Sequence, residues 1–158
     1  MAGETVDSVE MLRRLVAFDT TSRNSNLALI DYVRDYLKGH GVESKLVPSE
    51  DGKKANLFAT VGPMVKDGVV LSGHTDVVPV DGQPWDTDPW TLTEKPDGNL
   101  YGRGTCDMKG FIAACLSHVP AFGRAISLAV ETYFFSVCWT QNHVACSRRR
   151  CSLRFSKP

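Results

Sequence analysis

Residues 68–79 read GVVLSGHTDVVP, an apolar run from Gly68 to Leu71 followed closely by His74 and Asp76. A short, almost wholly apolar stretch from Gly68 to Gly73 is the pattern of a central strand covered on both faces. Ending such a strand on an imidazole and a carboxylate is costly unless each group is paired or bound to something. In open α/β sheets, functional groups gather where strands end and loops begin. A neutral imidazole is a common zinc ligand, and its second nitrogen needs a partner that fixes tautomer and orientation. Asp76 stands two residues on in extended chain, hence on the same side as His74, and is a candidate for that partner. Taken alone, the pair also fits a hydrogen-bonded surface histidine beside a loop aspartate.

The flanking sequence supplies the layers that such a strand needs. Residues 5–18 place Val6, Val9, Leu12 and Val16 at helical spacing. From Asn26 to Lys38, Leu29, Ile30, Val33, Tyr36 and Leu37 form one face, opposed by Asp31, Arg34, Asp35 and Lys38. Asn24, Ser25 or Asn26 can cap its start, and Gly39 or Gly41 can end it. Val42 to Val47 and Asn56 to Val61 read as strands, Met108 to His118 as a helix, and Ile126 to Val130 as one further buried strand. Helices mixed with buried strands predict an α/β layer architecture.

A chain of 158 residues can hold one ordinary domain with a real core. Glu4, Asp7, Glu10, Arg13 and Arg14 break up the first twenty residues, which excludes a signal-peptide core. No window approaches 18 uninterrupted apolar residues, so no membrane partner is expected, and the expectation is a soluble, cytoplasmic protein. The formal net charge of +0 hides an asymmetry: residues 124–158 hold six basic residues against Glu131 alone, and three of the five cysteines.

The next segment, WDTDPWTLTEKPDGNLYGRGTCDMKG (85–110), is a long loop with two tryptophans, four aspartates and three glycines in its last nine residues. Long ordered loops in compact domains tend to be functional. Its end delivers Asp107 just ahead of a helix. There a carboxylate can cap the helix amides or bridge two cations, and the spacing leaves both roles open.

His74-Thr75-Asp76, followed about thirty residues later by Gly102-Arg103-Gly104-Thr105-Cys106-Asp107-Met108-Lys109-Gly110, resembles the zinc-dependent aminoacylase, carboxypeptidase and deacylase superfamily. Within it, SGHTDVVPVDGQPWDTDPW and LYGRGTCDMKGFIA are most similar to the acetylornithine deacetylase branch, and FDTTSRNSNLALIDYVRDYL and ANLFATVG fit the same branch. The resemblance covers roughly residues 5 to 123.

That resemblance implies a zinc-peptidase-like catalytic domain, a mixed sheet flanked by helices. It implies His74 as a ligand of the first of two zinc or cobalt ions, Asp107 as the carboxylate bridging both, and Asp76 as the catalytic-site carboxylate that orients His74. It also implies a cis peptide at Asp107–Met108. The activity implied is hydrolysis of an amide by a water shared between the ions, the substrate a small N-acyl amino acid. For the branch named, this is removal of acetate from N-acetylornithine in arginine biosynthesis.

The departure from the pattern falls after Gly123. Members of the superfamily continue with a strand ending in Glu-Glu, a further acidic ligand, an inserted lid domain that often dimerises, and a late histidine ligand. Here the chain reads RAISLAVETYFFSVCWTQNHVACSRRRCSLRFSKP, with Glu131 and no Glu-Glu. The expectation is therefore an incomplete catalytic domain over 1–123, with the lid absent, and a divergent basic tail over 124–158. In that tail Cys138, His143, Cys146 and Cys151 can hold a structural zinc, and Arg148-Arg149-Arg150 can contact nucleic acid. The irregular spacing, with no C-x-x-C, favours instead the arbitrary product of a frame change or a mispredicted gene end, and no nucleic-acid partner is expected. Five cysteines in an intracellular chain predict no disulfide framework. A chain inactive alone is expected, and the alternative is a non-catalytic fragment acting by association with a full-length relative.

Overall fold

The computed structural model describes residues 4–63, 68–125 and 133–138, the last six and residues 123–125 by their backbone. Three helices, α1 (Ser8–Val16), α2 (Leu27–Gly39) and α3 (Gly110–Ala125), accompany a sheet built from β1 (Ser44–Pro48), β2 (Ala55–Val61), β3 (Val69–His74) and a last strand, Tyr133–Cys138. Between β3 and α3 lies a small hairpin of β4 (Thr93–Glu94) and β5 (Leu100–Tyr101), which makes the last strand β6.

Each helix forms for a legible reason. The Asp7 side chain accepts the Glu10 amide at 2.8 Å, capping α1. Met11, Leu12, Leu15 and Val16 then fall on one buried stripe. On α2 the stripe is Leu29, Ile30, Val33 and Leu37, and burying each contributes about 1.5–3 kcal/mol. The helix α3 starts at Gly110, two residues later than the periodicity predicts, because Asp107 (φ −129°, ψ 91°) and Met108 (φ −138°, ψ 34°) are not helical. It also runs past His118 and through Pro120. Pro120 removes one helical hydrogen bond, while Leu116 and Val119 on either side of that turn are anchored in the core.

The sheet is mixed, in the order β1-β2-β6-β3. β1 and β2 are antiparallel, as are β2 and β6, and β3 runs parallel to β6 with His74 level with Cys138. One cluster, running from Met11 and Leu15 through Leu29, Ile30 and Val33 to Leu57, Ile112 and Leu116, joins all three helices to β2. Two expectations change here. The apolar run 68–73 is an edge strand among the described residues, with Val69 50% and Val70 63% exposed, because β6 flanks only one of its sides. Tyr133–Cys138 is a strand that the sequence reading passed over, although its aromatic and β-branched content carries that signal. The strand expected at Ile126–Val130 lies outside the described residues.

Candidate metal centre

His74 closes β3, and the residue before it decides how closely that strand approaches α3. A Cβ on Gly73 would stand 2.9 Å from Cγ1 of Ile112, so glycine permits the contact. Beyond the strand the chain stays extended, and the His74 ring turns back on Asp76. Nδ1 lies 3.1 Å from the Asp76 carbonyl and 3.2 Å from Asp76 Oδ1. The opposite ring nitrogen, Nε2, lies 2.9 Å from Asp107 Oδ1.

Asp107 reaches that point on a wide turn, Thr105–Lys109, whose Asp107–Met108 peptide bond is cis. Gly104 opens the turn at φ +83°, where a Cβ would meet Cγ1 of Val77 at 2.7 Å. The Lys109 amide closes it on the Gly104 carbonyl at 2.8 Å. The three residues singled out from the sequence, His74, Asp76 and Asp107, thus converge, with Asp76 and Asp107 on opposite edges of one imidazole. The histidine side chain is 12% exposed and the Asp107 side chain 63%, so the pair opens to solvent on the Asp107 side.

The electrostatics follow from this geometry. The Asp76 carboxylate beside Nδ1 raises the His74 pKa above the ordinary imidazole value, against the opposing effect of burial. Burial pushes Asp76 up, but hydrogen bonds from His74 and Ser22 outweigh it and hold the carboxyl below its usual range. With the Nδ1 proton directed at Asp76, Nε2 presents a lone pair to a carboxylate oxygen 2.9 Å away. Two acceptors at that separation require positive charge between them, supplied by a proton on Nε2 or by a bound cation. A divalent ion therefore fits the donor set of His74 and Asp107, with Asp76 as the carboxylate behind the histidine. Among the described residues, no group of three His, Cys, Asp or Glu able to hold a metal ion is present. Of the other residues weighed from the sequence, Glu131, His143, Cys146 and Cys151 lie outside the described residues, and Cys138 is placed by its backbone in β6. Cys106 and Cys115 are free thiols.

Residues that the sequence reading left aside frame the centre. The segment 18–22, between α1 and α2, runs beside 75–77: the Thr20 hydroxyl donates to the Thr75 carbonyl at 2.5 Å, the Val77 amide to the Thr20 carbonyl at 3.1 Å, and the Ser22 amide to the Val77 carbonyl at 3.1 Å. Of the three cap candidates for α2, Asn24, Ser25 and Asn26, Ser25 Oγ accepts the Leu27 amide at 3.2 Å and Asn26 makes no capping bond. It is buried, and its side chain pairs with both the amide and carbonyl of Ala55 and with Thr75 Oγ1. Lys109 is 0% exposed, donates from Nζ to the Phe18 carbonyl at 2.7 Å, and is pushed down by burial to about 8. A lysine directly ahead of an apolar helix was the available signal for it; the contact across 91 residues was not.

Peptidase family M20/M25/M40 matches residues 70–136. Acetylornithine deacetylase of Proteus mirabilis is 45% identical over 113 residues, which is 66% of this chain and 28% of that protein. Acetylornithine deacetylase of Pasteurella multocida is 41% identical over 118 residues, 70% of this chain and 30% of that protein. The chain thus spans less than a third of the length of these curated relatives. Among solved structures, human carnosine dipeptidase 1 superposes with a TM-score of 0.71 at 29% identity, over 87% of this chain and 32% of that one. An M20 family metallo-carboxypeptidase from Sulfolobus solfataricus superposes with a TM-score of 0.70 at 21% identity, over 84% of this chain and 30% of that one, a likeness of fold. The α/β fold, the converging residues and these relatives agree with that match: residues 70–136 of this chain are similar to Peptidase family M20/M25/M40.

Proposed function

We propose that His74, Asp76 and Asp107 are part of the metal centre of an amide hydrolase whose substrate is a small N-acyl amino acid, N-acetylornithine by similarity to the acetylornithine deacetylases. The observation that carries this reading is the facing pair, His74 Nε2 and Asp107 Oδ1 at 2.9 Å, backed by Asp76 at Nδ1. His74 and Asp107 would hold zinc or cobalt. A divalent ion there supplies an acidified water and polarisation of the amide carbonyl. Asp76 keeps the proton on Nδ1, so that the other nitrogen is the donor and the ring cannot turn away. Asp107, on the solvent side, offers two carboxylate oxygens, enough to bridge two cations. The proposed setting, as the resemblance implies, is arginine biosynthesis in the cytoplasm.

This chain has no Glu-Glu sequence to provide a general base. Such proton transfer is worth about 10²–10⁴-fold in rate. We therefore infer that the 158-residue chain does not turn over substrate alone, and that any role it has alone is non-catalytic, through association with a full-length relative. The test is release of ornithine from N-acetylornithine with added Zn²⁺ or Co²⁺. No release is expected; release abolished by both His74→Ala and Asp107→Ala would overturn the inactivity and leave the metal centre standing. Zn²⁺ binding indifferent to both substitutions would overturn the metal centre itself.

A further inference from the structure

The carboxylate behind a ligating histidine needs its own support, because the terminal torsion of an aspartate is broad and roughly two-fold. Asp76 is 8% exposed, so it cannot rely on bulk water for that support. Its Oδ1 stands 3.2 Å from His74 Nδ1, which lies 3.1 Å from the Asp76 carbonyl as well, and its Oδ2 accepts the Ser22 hydroxyl at 2.8 Å.

We propose that Ser22 is a positioning residue of the centre: its hydroxyl fixes the Asp76 carboxylate and, through it, the tautomer and tilt of the His74 ring. This rests on the reading of His74 as a ligand through Nε2. Fastening of the loop does not need the hydroxyl. The Ser22 amide already donates to the Val77 carbonyl at 3.1 Å and the Val77 amide to the Thr20 carbonyl at 3.1 Å, the two bonds of the parallel Thr21–Val77 bridge, and the Thr20 hydroxyl adds one more to the Thr75 carbonyl. The hydroxyl lies 3.3 Å from the Val77 carbonyl and 2.8 Å from the carboxylate, so its shorter bond goes to the group that touches the histidine. Residues 18–22 are also tied to the other half of the centre, since Lys109, two residues after Asp107, donates to the Phe18 carbonyl. One short connection thus serves as a common reference for the Asp76–His74 pair and for the Asp107 turn. Ser22 is the member of it that reaches a side chain of the centre.

The test is the His74 Nδ1–H resonance in ¹H–¹⁵N spectra of the full 158-residue chain without metal, assigned by its loss in His74→Ala. A protected, downfield Nδ1–H is expected in the wild type, retained in Ser22→Thr. In Ser22→Ala it is expected to move upfield and exchange rapidly with water, as in Asp76→Asn, and the double variant should look like Asp76→Asn alone. Ser22→Cys keeps the shape and weakens the donor, and gives the same reading if Ser22→Ala does not fold. An unchanged resonance in Ser22→Ala overturns the proposal. So does its absence from the wild type, or a loss that Ser22→Thr does not restore and that comes with altered amide signals across 75–77. Zn²⁺ is then added to the wild type as a separate measurement. Failure of Nε2 to shift overturns the ligand reading, while the effect of Ser22 on the metal-free ring stays legible.

Discussion

Nε2 of His74 and Oδ1 of Asp107, 33 residues apart in sequence, face each other at 2.9 Å, and with the single ring proton on the Asp76 side Nε2 meets that oxygen as an acceptor. Under the proposed function that pair supplies two ligands to a divalent ion. A complete structural zinc site is worth about 10–16 kcal/mol. Half of that, about 5–8 kcal/mol, corresponds to a Kd between about 1 μM and 0.2 mM. Calorimetric titration of the metal-free chain with Zn²⁺ should fall in that range, with binding lost in His74→Ala and in Asp107→Ala. Sub-nanomolar binding would show that further ligands join the pair.

Lys109 gives a prediction about stability. Its stem fills buried space beside Gly104, whose Cβ position lies 3.3 Å from Lys109 Cδ, and its ammonium satisfies the Phe18 carbonyl. Lys109→Ala removes both, leaving a cavity and an unpaired carbonyl, and should destabilise the fold by about 2–4 kcal/mol. Lys109→Met restores the volume and should recover more than half of that loss. Chemical denaturation of the three proteins checks it, and equal losses in both variants would assign the whole effect to the hydrogen bond.

Asp19 makes stability depend on acid. Burial pushes its carboxyl up, but bonds from the Thr21 hydroxyl and amide and from Asn24 outweigh it and hold the pKa below the ordinary value. A carboxyl depressed in the folded state contributes stability that is fully present above its unfolded pKa of about 3.9 and is lost as pH falls through the folded value. Asp19→Asn should therefore lower the unfolding temperature at pH 7, by the equivalent of less than about 1 kcal/mol because the side chain is exposed. The gap to wild type should close below pH 4. A gap that persists undiminished at pH 2 would show that the loss does not come from the charge.

Val69 and Val70 give a prediction about solubility. An exposed apolar edge strand is a template for pairing with another chain, and these two residues stand 50% and 63% exposed on β3. Val70→Lys should raise the concentration at which light scattering begins, several-fold, and leave the unfolding temperature within a few degrees. Unchanged scattering would place the sticky surface elsewhere.

The sequence made His74 and Asp107 visible because each sits at a punctuated boundary, one ending an apolar run and the other closing a glycine-rich loop. The same local signals placed α1 and α2 and the strands β1 and β2 close to where they lie. What they could not convey was adjacency. Nothing in GVVLSG says that its strand lies at the edge of the sheet among the described residues, since that depends on where β6 inserts. Asn26 reads as a cap because a cap is the nearest use for an asparagine, yet its partners are Ala55 and Thr75, 29 and 49 residues away. Ser22 is silent for the same reason: its partner Asp76 lies 54 residues downstream.

The position of β6 has a consequence for the order of events during synthesis. Tyr133–Cys138 is the last of these strands to leave the ribosome, yet it stands between β2 and β3 and pairs with both. Until residue 138 has emerged, β2 and β3 have no bridge between them, and a nascent chain holds a β1–β2 hairpin and a detached β3 together only through the helices. The sheet must therefore close after translation has passed all three helices, which makes the long-range step the late one. A chain stalled near residue 125 would leave open the two strand edges, one on β2 and one on β3, that β6 pairs in the finished sheet.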